Sequence, residues 1–475
     1  MKNFDYYLFL IILIKFFSAN NKIYRIKFGL FNEKSSESNI NNIFYNKIYL
    51  NLSIGTSPQI VPFELDNEVQ TFCVTNNVYN ENKSSTYEKI TGNKIDIIYE
   101  VPKKGLILKD ILNIDDNSNK KINFILGTDF PFPNKNQKFG IIGLRIPYII
   151  QDGIFPFFHS LKDAELISSF SWTLKFFNNK SLHDLITYDK EKDNIIGEFI
   201  FGDEPSAYEN DSYNFNEKGY YKINPSASKN IMNWRFNFSN IYISIKEGEN
   251  ISKVDFLDDK DAQIIINYSF MSGPQYFLYF IEEHFFTEQY LEGVCEAKYI
   301  GAYTYIECDS TFKVETFPNI TFEQRGFEYY FNLTYEDLFV FDEKSKSYIF
   351  LIFIRDYSMI WELGTVFLRK FQFVYNEDLK TIGFYKYYNG EDKKDDWITP
   401  EEKISYTMKI VLIVVLSAIF AGLLIFIGMF LQKICNKDRK KRANELKDNF
   451  EYISENVDDN GLAINSDKKI LKDEE

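Results

Sequence analysis

One acidic residue, Asp66, occupies a position where its carboxylate could take part in a reaction. It follows Phe63-Glu64-Leu65, a short run that favours a strand leading into a loop. Hydrolysis of an amide by carboxylates needs two of them close enough to share one proton, because like charges at that distance cannot both ionise. One then serves as the base toward water and the other as the acid toward the amide. A lone aspartate in an open site stays ionised at neutral pH and has no partner to hold the second proton.

Other reactive constellations are absent from the sequence. The three histidines, His159, His183 and His284, are widely spaced and form no metal-ligand pattern. Neither a Gly-x-Ser-x-Gly motif nor a phosphate-binding glycine loop occurs. The net charge is −14, from 54 basic and 68 acidic side chains, and phosphate binding needs a concentrated basic surface. The sequence therefore predicts no metal, no cofactor and no nucleic-acid partner.

The surrounding sequence favours strands that would position such an acid. Hydrophobic residues make up 45% of the chain and aromatic residues 18%, which is ample material for a large core. Short runs rich in branched and aromatic residues recur, including Ile97-Ile98-Tyr99, Phe199-Ile200-Phe201 and Ile241-Tyr242-Ile243. Sustained helical periodicity is rare before the C-terminal region. The sequence predicts a mostly β body.

Six short motifs follow one another in a fixed order through residues 42–388. They are Ile54-Gly55-Thr56-Ser57-Pro58-Gln59, Asn82-Lys83-Ser84-Ser85-Thr86-Tyr87, Phe139-Gly140-Ile141-Ile142-Gly143-Leu144, Phe170-Ser171-Trp172-Thr173-Leu174, Gly197-Glu198-Phe199-Ile200-Phe201-Gly202 and Glu362-Leu363-Gly364-Thr365-Val366-Phe367-Leu368-Arg369-Lys370-Phe371. Each motif alone is weak, but the ordered series resembles the pepsin-like aspartic peptidase family. The resemblance implies a bilobal β fold with a central cleft. In each lobe a glycine, here Gly143 or Gly364, would let a strand pass close behind the active-site loop.

The resemblance places Asp66 at the first catalytic aspartate of that family, although its surroundings differ. The family continues with Thr-Gly-Ser, whereas this chain has Asn67, Glu68 and Val69. The family's threonine bonds across to the other lobe, and Asn67 can still donate such a hydrogen bond. Glu68 brings a Cβ atom and a charge to a tight loop beside Asp66. Because Glu68 belongs to the same loop, it is not expected to replace the acid of the facing lobe.

The second catalytic aspartate has no acidic counterpart. Ser272-Gly273-Pro274 resembles the Thr-Gly-Pro that follows Asp-Thr-Gly-Thr-Ser in the family. Counting back without gaps puts Ile265 at the aspartate and Ser269 at the final serine, where it would line the substrate cleft. A two-residue deletion puts Asn267 there instead. Both readings predict that the catalytic pair is lost and that Asp66 is vestigial.

Two further features are implied by the resemblance. Tyr99 resembles the tyrosine of the flap that closes over substrate, although Glu100 and Pro102 stand where the family has glycines, and a plain strand aromatic is an equal alternative. Cys295 and Cys308 fall where the second lobe usually carries a disulfide, and their closeness in sequence suits such a bond in an oxidising compartment.

Two apolar segments predict the compartment. Leu8 to Phe17 reads as the core of a signal peptide, and residues 410–431 form an uncharged run of 22 residues, long enough to span a bilayer. Basic residues from Lys437 to Arg442 follow it and favour a cytosolic tail. The prediction is a type I membrane protein whose body is lumenal or extracellular. Nine Asn-x-Ser/Thr sequons in that body allow glycosylation.

The predicted organisation has seven parts. They are a signal peptide (1–19), a leader or prosegment remnant (20–41), an N-terminal lobe (42–215), a C-terminal lobe (216–388), a charged stalk (389–409), a transmembrane helix (410–431) and a cytosolic tail (432–475).

The sequence favours a membrane-anchored, peptidase-like protein that is catalytically inactive and binds an extended peptide or protein segment in its cleft. Two alternatives stay open. One is an active endopeptidase whose second acid is Asp258, Asp259 or Asp261. The other is a structural or adhesive ectodomain whose cleft is filled by bulky side chains such as Tyr268 and Phe270.

Overall fold

The computed structural model describes most of the predicted lobes. The described residues are 23–31, 39–91, 95–96, 102–114, 119–129, 139–146, 156–177, 181–186, 194–203, 220–225, 233–247, 250–258 and 260–385, with 440–442, 444 and 447. The chain divides into two compact units, residues 1–397 and 398–475, and nearly all the described residues belong to the first.

Among the described residues of the first unit, fourteen strands form one large sheet. Those strands are β1 (Tyr24–Phe31), β2 (Lys47–Ile54), β3 (Gln59–Asp66), β4 (Phe72–Thr75), β5 (Glu88–Lys89), β6 (Ile95–Asp96), β7 (Lys104–Asn113), β8 (Lys120–Asp129), β9 (Gly140–Gly143), β10 (Ser171–Phe176), β11 (Ile195–Phe201), β12 (Tyr220–Ile223), β26 (Phe373–Asn376) and β27 (Thr381–Tyr385). Their order is β12-β27-β26-β10-β11-β1-β2-β3-β9-β4-β8-β7-β5, with β6 also paired to β7. The sheet therefore joins strands of the N-terminal lobe to the last strands of the C-terminal lobe.

Two smaller sheets build most of the C-terminal lobe. One has nine strands: β13 (Arg235–Asn237), β16 (Asp261–Ile264), β17 (Met271–Gly273), β18 (Cys295–Ile300), β19 (Tyr303–Asp309), β22 (Phe339–Asp342), β23 (Ser347–Phe350), β24 (Ile352–Arg355) and β25 (Trp361–Leu363). The other has four: β14 (Asn240–Glu247), β15 (Asn250–Phe256), β20 (Asn319–Gln324) and β21 (Tyr329–Leu333).

Helices in the described residues are short. They are α1 (Asn39–Tyr45), α2 (Phe157–Asp163), α3 (Leu182–Ile186), α4 (Gln275–Ile281), α5 (Thr287–Leu291), α6 (Tyr335–Leu338) and α7 (Thr365–Leu368), with 3₁₀ turns at Glu81–Lys83 and Val314–Thr316 and a π turn at Glu282–Phe286. The mostly β fold class is confirmed.

Alternating burial explains why these segments form strands. In β2 every second side chain is buried, namely Ile48, Leu50, Leu52 and Ile54, as expected for a strand with one face on the core. In β9 and β10 every residue is buried, which is typical of strands covered on both faces. Aromatic rings are abundant in the second lobe, where Phe331 packs against six other phenylalanines of the described residues.

Several predicted segments fall outside the described residues. These are the signal peptide, the charged stalk, the transmembrane helix and most of the cytosolic tail. Among the residues that the structure does describe, no helix has both the length and the apolar character needed to cross a membrane. Part of the predicted leader is described, and its residues Tyr24–Phe31 form strand β1.

Candidate functional site

Asp66 ends a strand in the centre of the large sheet. Strand β3 pairs in parallel with β9, and Asp66 lies opposite Gly143. The Asp66 carbonyl accepts a hydrogen bond from Leu144 N at 2.8 Å. Its Oδ1 accepts one from Glu68 N at 2.7 Å, so the loop after the strand folds back over the carboxylate. Asp66 keeps part of its surface open to solvent.

The C-terminal lobe has the same pairing of parallel strands, but an apolar residue takes the position of Asp66. Strand β16 pairs in parallel with β25, and Ile264 lies opposite Leu363 as Leu65 lies opposite Ile142. The next residue, Ile265, donates its N–H to the Leu363 carbonyl at 3.1 Å. Its register therefore corresponds to that of Asp66, and it is only 1% exposed.

The loop at Asp66 and the loop at Ile265 form the two half-sites. Each depends on a glycine where a second strand passes behind the loop. A Cβ atom on Gly143 would lie 2.6 Å from Thr71 N, and one on Gly364 would lie 2.0 Å from the Phe270 carbonyl oxygen. No real side chain tolerates such contacts, so only glycine permits this approach. These glycines play the part that the sequence resemblance implied for them.

Asn67 ties the two half-sites together. Its Nδ2 donates to the Ile264 carbonyl at 2.6 Å, and its Oδ1 accepts from Ile266 N at 3.2 Å. The amide thus pairs with the peptide groups on either side of Ile265 and is itself 1% exposed. The expected bond from this position across to the other lobe is present, made here by an amide.

The other predicted residues of the second half-site are buried. Asn267 is 5% exposed, and its Oδ1 accepts no hydrogen bond from the residues that the structure describes. Ser269 is 2% exposed and so presents almost no surface to a ligand. The predicted flap residue Tyr99 lies outside the described residues.

Asp261 and Asp258 do not lie at this half-site. Asp261 begins β16, at the opposite end of the strand from Ile265, and pairs with Asn237. Asp258 is exposed in the turn before that strand, and Asp259 lies outside the described residues. No acidic residue occupies the register equivalent to Asp66.

Several charged side chains surround the two loops, and each of the three cations contacts an acceptor of its own. Lys47 Nζ lies 2.8 Å from Glu64 Oε1, and Arg355 lies 2.8 Å from Glu362 Oε1. Arg145 donates to the Glu68 carbonyl at 2.9 Å. Asp66 and Glu68 have no ion-pair partner within salt-bridge distance among the described residues.

The carboxyl group of Glu68 is held in an unusual electrostatic environment. The side chain is exposed, yet loss of solvation is the largest of the effects that together raise its pKa to about 7. The charges of Asp66 and Glu362 add to this increase, while those of Lys47 and Arg355 oppose it. Burial likewise raises the pKa of Glu362, which is 4% exposed, against the stabilising effect of Arg355.

Aromatic rings pack beside the second half-site. Phe270 stacks on Tyr268 with ring centroids 4.9 Å apart and on Phe353 at 4.3 Å. Phe44 of α1 stacks on the same Phe270 at 5.7 Å and meets Tyr303 edge-on at 5.4 Å. The Tyr303 hydroxyl donates to that of Tyr268 at 3.1 Å. A helix that precedes the first half-site thus contacts the loop of the second.

Sequence reasoning missed the role of Glu362, Arg355 and Phe44. A signal for Glu362 was present, because an acid interrupts an apolar motif just before Leu363-Gly364. Arg355 is the last residue of strand β24, and Phe44 lies in the short helix α1, which is far from the second half-site in sequence. Only the tertiary structure brings these two residues to the site.

A disulfide joins Cys295 and Cys308, as predicted. The two cysteines lie directly opposite each other on the antiparallel strands β18 and β19. Both are at least 95% buried, which protects the bond from solvent. Cys73, the one free cysteine of the described residues, is buried.

The mostly β fold and this pair of half-sites are consistent with the pepsin-like fold. Residues 55–387 match the family model described as "Eukaryotic aspartyl protease". Because the match covers well over half of the chain, the chain belongs to the eukaryotic aspartyl protease family. No curated protein matches the sequence significantly.

Proposed function

We propose that this protein is a membrane-anchored, catalytically inactive member of its family whose cleft binds an extended peptide or protein segment. The observation that carries the proposal is the buried Ile265 at the register of Asp66. Amide hydrolysis by this route needs a second carboxylate to hold the complementary proton, and a hydrocarbon side chain cannot hold one. Asp66 alone cannot supply both the base and the acid.

The scaffold around the lost centre supports a binding role. The glycine contacts, the Asn67 bridge and the paired strands of both lobes are all retained, although catalysis no longer requires them. An extended peptide is held in such a cleft by backbone hydrogen bonds and side-chain pockets, neither of which depends on a catalytic pair.

The test is a hydrolysis assay on the full chain kept in detergent. Fluorogenic peptides and unfolded casein are incubated with it between about pH 3 and pH 7, the range in which carboxylate pairs operate. We expect no cleavage above that of the Asp66→Asn variant. Cleavage that Asp66→Asn abolishes contradicts the proposal and supports an active peptidase with a non-standard second acid.

A second candidate, an adhesive ectodomain with a filled cleft, is favoured by the stack of Phe44 on Phe270. If α1 fills the ligand position, truncation of this ring should uncover binding that the native protein lacks. Peptide binding to the native chain and to Phe44→Ala is compared by fluorescence anisotropy. Binding to the variant alone supports the filled cleft, and equal binding to both supports the open one.

A further inference from the structure

The structure separates the asparagine sequons of the chain by their access to solvent. A glycan is bulky and hydrated, so the folded protein accommodates one only where the asparagine reaches the surface. Asn267 is 5% exposed and Ser269, the hydroxyl residue of its sequon, is 2% exposed, which leaves no room for a glycan at the second half-site. Among the described residues, four sequons begin with an exposed asparagine, namely Asn51, Asn82, Asn237 and Asn332.

Asn332 differs from the other three because it lies on an edge strand of the four-stranded sheet. The order of that sheet is β15-β14-β20-β21, so β21 pairs with β20 and with no other strand of the described residues. Phe331 and Leu333 point to the core, whereas Tyr330 and Asn332 lie on the exposed face, where Tyr330 is 41% exposed. An edge of this kind presents unpaired backbone groups to other chains.

The Asn332 carboxamide can carry a substituent without losing a contact. Its Oδ1 accepts a hydrogen bond from the Thr321 hydroxyl of β20 at 3.3 Å. Its Nδ2, the atom to which a sugar is attached, donates no hydrogen bond to the residues that the structure describes. Attachment at Nδ2 leaves the carbonyl oxygen in place, so the bond from Thr321 is kept. The hydroxyl residue of the sequon, Thr334, caps helix α6 together with Asp337.

We infer that Asn332 carries an N-linked oligosaccharide and that this glycan covers the edge of β21. The inference rests on the lumenal or extracellular placement predicted from the sequence, and it does not depend on a ligand in the cleft. The donor class is an oligosaccharide linked to a polyprenyl pyrophosphate. The bond from Nδ2 to the sugar C1 forms, the bond from C1 to the pyrophosphate oxygen breaks, and one amide proton leaves with no change of oxidation state.

The first test uses the full native chain, produced in a eukaryotic secretory host and purified in detergent. Trypsin cleaves after Arg325 and Lys344, so the peptide 326–344 contains Asn332 as its only sequon asparagine. Treatment with peptide N-glycosidase in heavy-oxygen water converts a glycan-bearing asparagine into labelled aspartate, which mass spectrometry locates. We expect the label at Asn332, and we expect the peptide 261–298 to be recovered with Asn267 unlabelled.

The second test compares two variants of the same sequon. Asn332→Gln keeps an amide but removes the acceptor, so the protein should lose one glycan and gain mobility by one step in a denaturing gel. Thr334→Ser keeps both the sequon and the hydroxyl that caps α6, so it should retain the glycan. During incubation at physiological temperature, light scattering should show several-fold faster aggregation of Asn332→Gln than of Thr334→Ser, because the edge of β21 is then uncovered.

The outcomes distinguish the inference from the placement on which it rests. Glycans at other sequons with none at Asn332 overturn the inference alone, as does a glycan at Asn267 in the folded protein. A glycan at Asn332 whose loss leaves aggregation unchanged overturns its role at the sheet edge. The absence of any glycan from the native chain overturns the inference and contradicts the lumenal placement as well, while peptide binding in the cleft is judged separately by the anisotropy assay.

Discussion

Asp66 and Ile265 occupy equivalent registers in the two half-sites, but Asp66 is partly exposed to solvent and Ile265 is buried. Asp66 keeps some solvent and accepts the Glu68 N–H, whereas Ile265 is enclosed between the peptide groups that Asn67 binds. Because side chain 265 is almost fully buried, an acid at this position would lose most of its solvation and is unfavourable.

Ile265→Asp should lower the free energy of unfolding by about 2–4 kcal/mol at pH 7.5, because an unpaired carboxylate is buried. Burial raises the pKa of the new group above its unfolded value. The variant should therefore recover stability below pH 4, where the group is protonated in both states, and lose it as the pH rises through the folded pKa. Urea unfolding at both pH values measures this. Ile265→Asn, similar in shape but uncharged, should show no extra pH dependence, and equal pH profiles for the two variants would contradict the prediction.

Asn67 acts as a bridge between lobes through two hydrogen bonds. Asn67→Ala leaves the Ile264 carbonyl and the Ile266 N–H without partners in a buried place. The expected cost is about 2–4 kcal/mol, because each orphaned group loses its solvation. Denaturant unfolding followed by tryptophan fluorescence gives the value. Asn76→Ala, in an exposed turn, serves as the control, and a similar small effect of both changes would disprove the bridge.

At the scale of elements, strand β1 is the part of the predicted leader that belongs to the folded body. It pairs with β11 along one edge and with β2 along the other. Phe28 is fully buried against Phe176, and its ring occupies the space that a side chain on Gly197 would need. A segment paired on both edges is not removed without opening the sheet.

Phe28→Ala should destabilise the protein by about 3–5 kcal/mol, the usual cost of deleting a buried phenyl ring. Ile60→Ala, at a side chain that is 72% exposed on β3, should cost little. Thermal unfolding of both variants gives the comparison. If Phe28→Ala behaves like the surface control, β1 contributes nothing to the stability of the body.

At the scale of the whole molecule, the large sheet makes the two lobes one body. Strands β26 and β27 come from the end of the C-terminal lobe yet lie beside β10 of the N-terminal lobe. The two half-sites therefore face each other in a fixed relation that Asn67 reinforces. The proposed membrane attachment is a separate matter, because it rests on the apolar sequence of residues 410–431.

The membrane prediction is tested by extraction with alkaline carbonate. The full chain should stay in the membrane pellet, because a run of about 20 apolar residues is long enough to span the bilayer. Deletion of residues 410–431 should release the protein into the supernatant. A control deletion of residues 448–460 in the polar tail should leave the protein in the pellet. Release of the native chain by carbonate contradicts a membrane span.

Runs of strand-favouring residues were enough to predict the mostly β class from the sequence. The ordered motifs, through their resemblance to the pepsin-like family, indicated Asp66 as a site residue and the Cys295–Cys308 bond. The sequence left Ile265 and Asn267 as alternatives, because a gap of two residues cannot be assigned from one sequence. The tertiary structure alone decided the register, because β16 pairs with β25 through long-range hydrogen bonds. It also brought Phe44, Arg355 and Glu362 together, since contacts between distant segments depend on packing that no local pattern records.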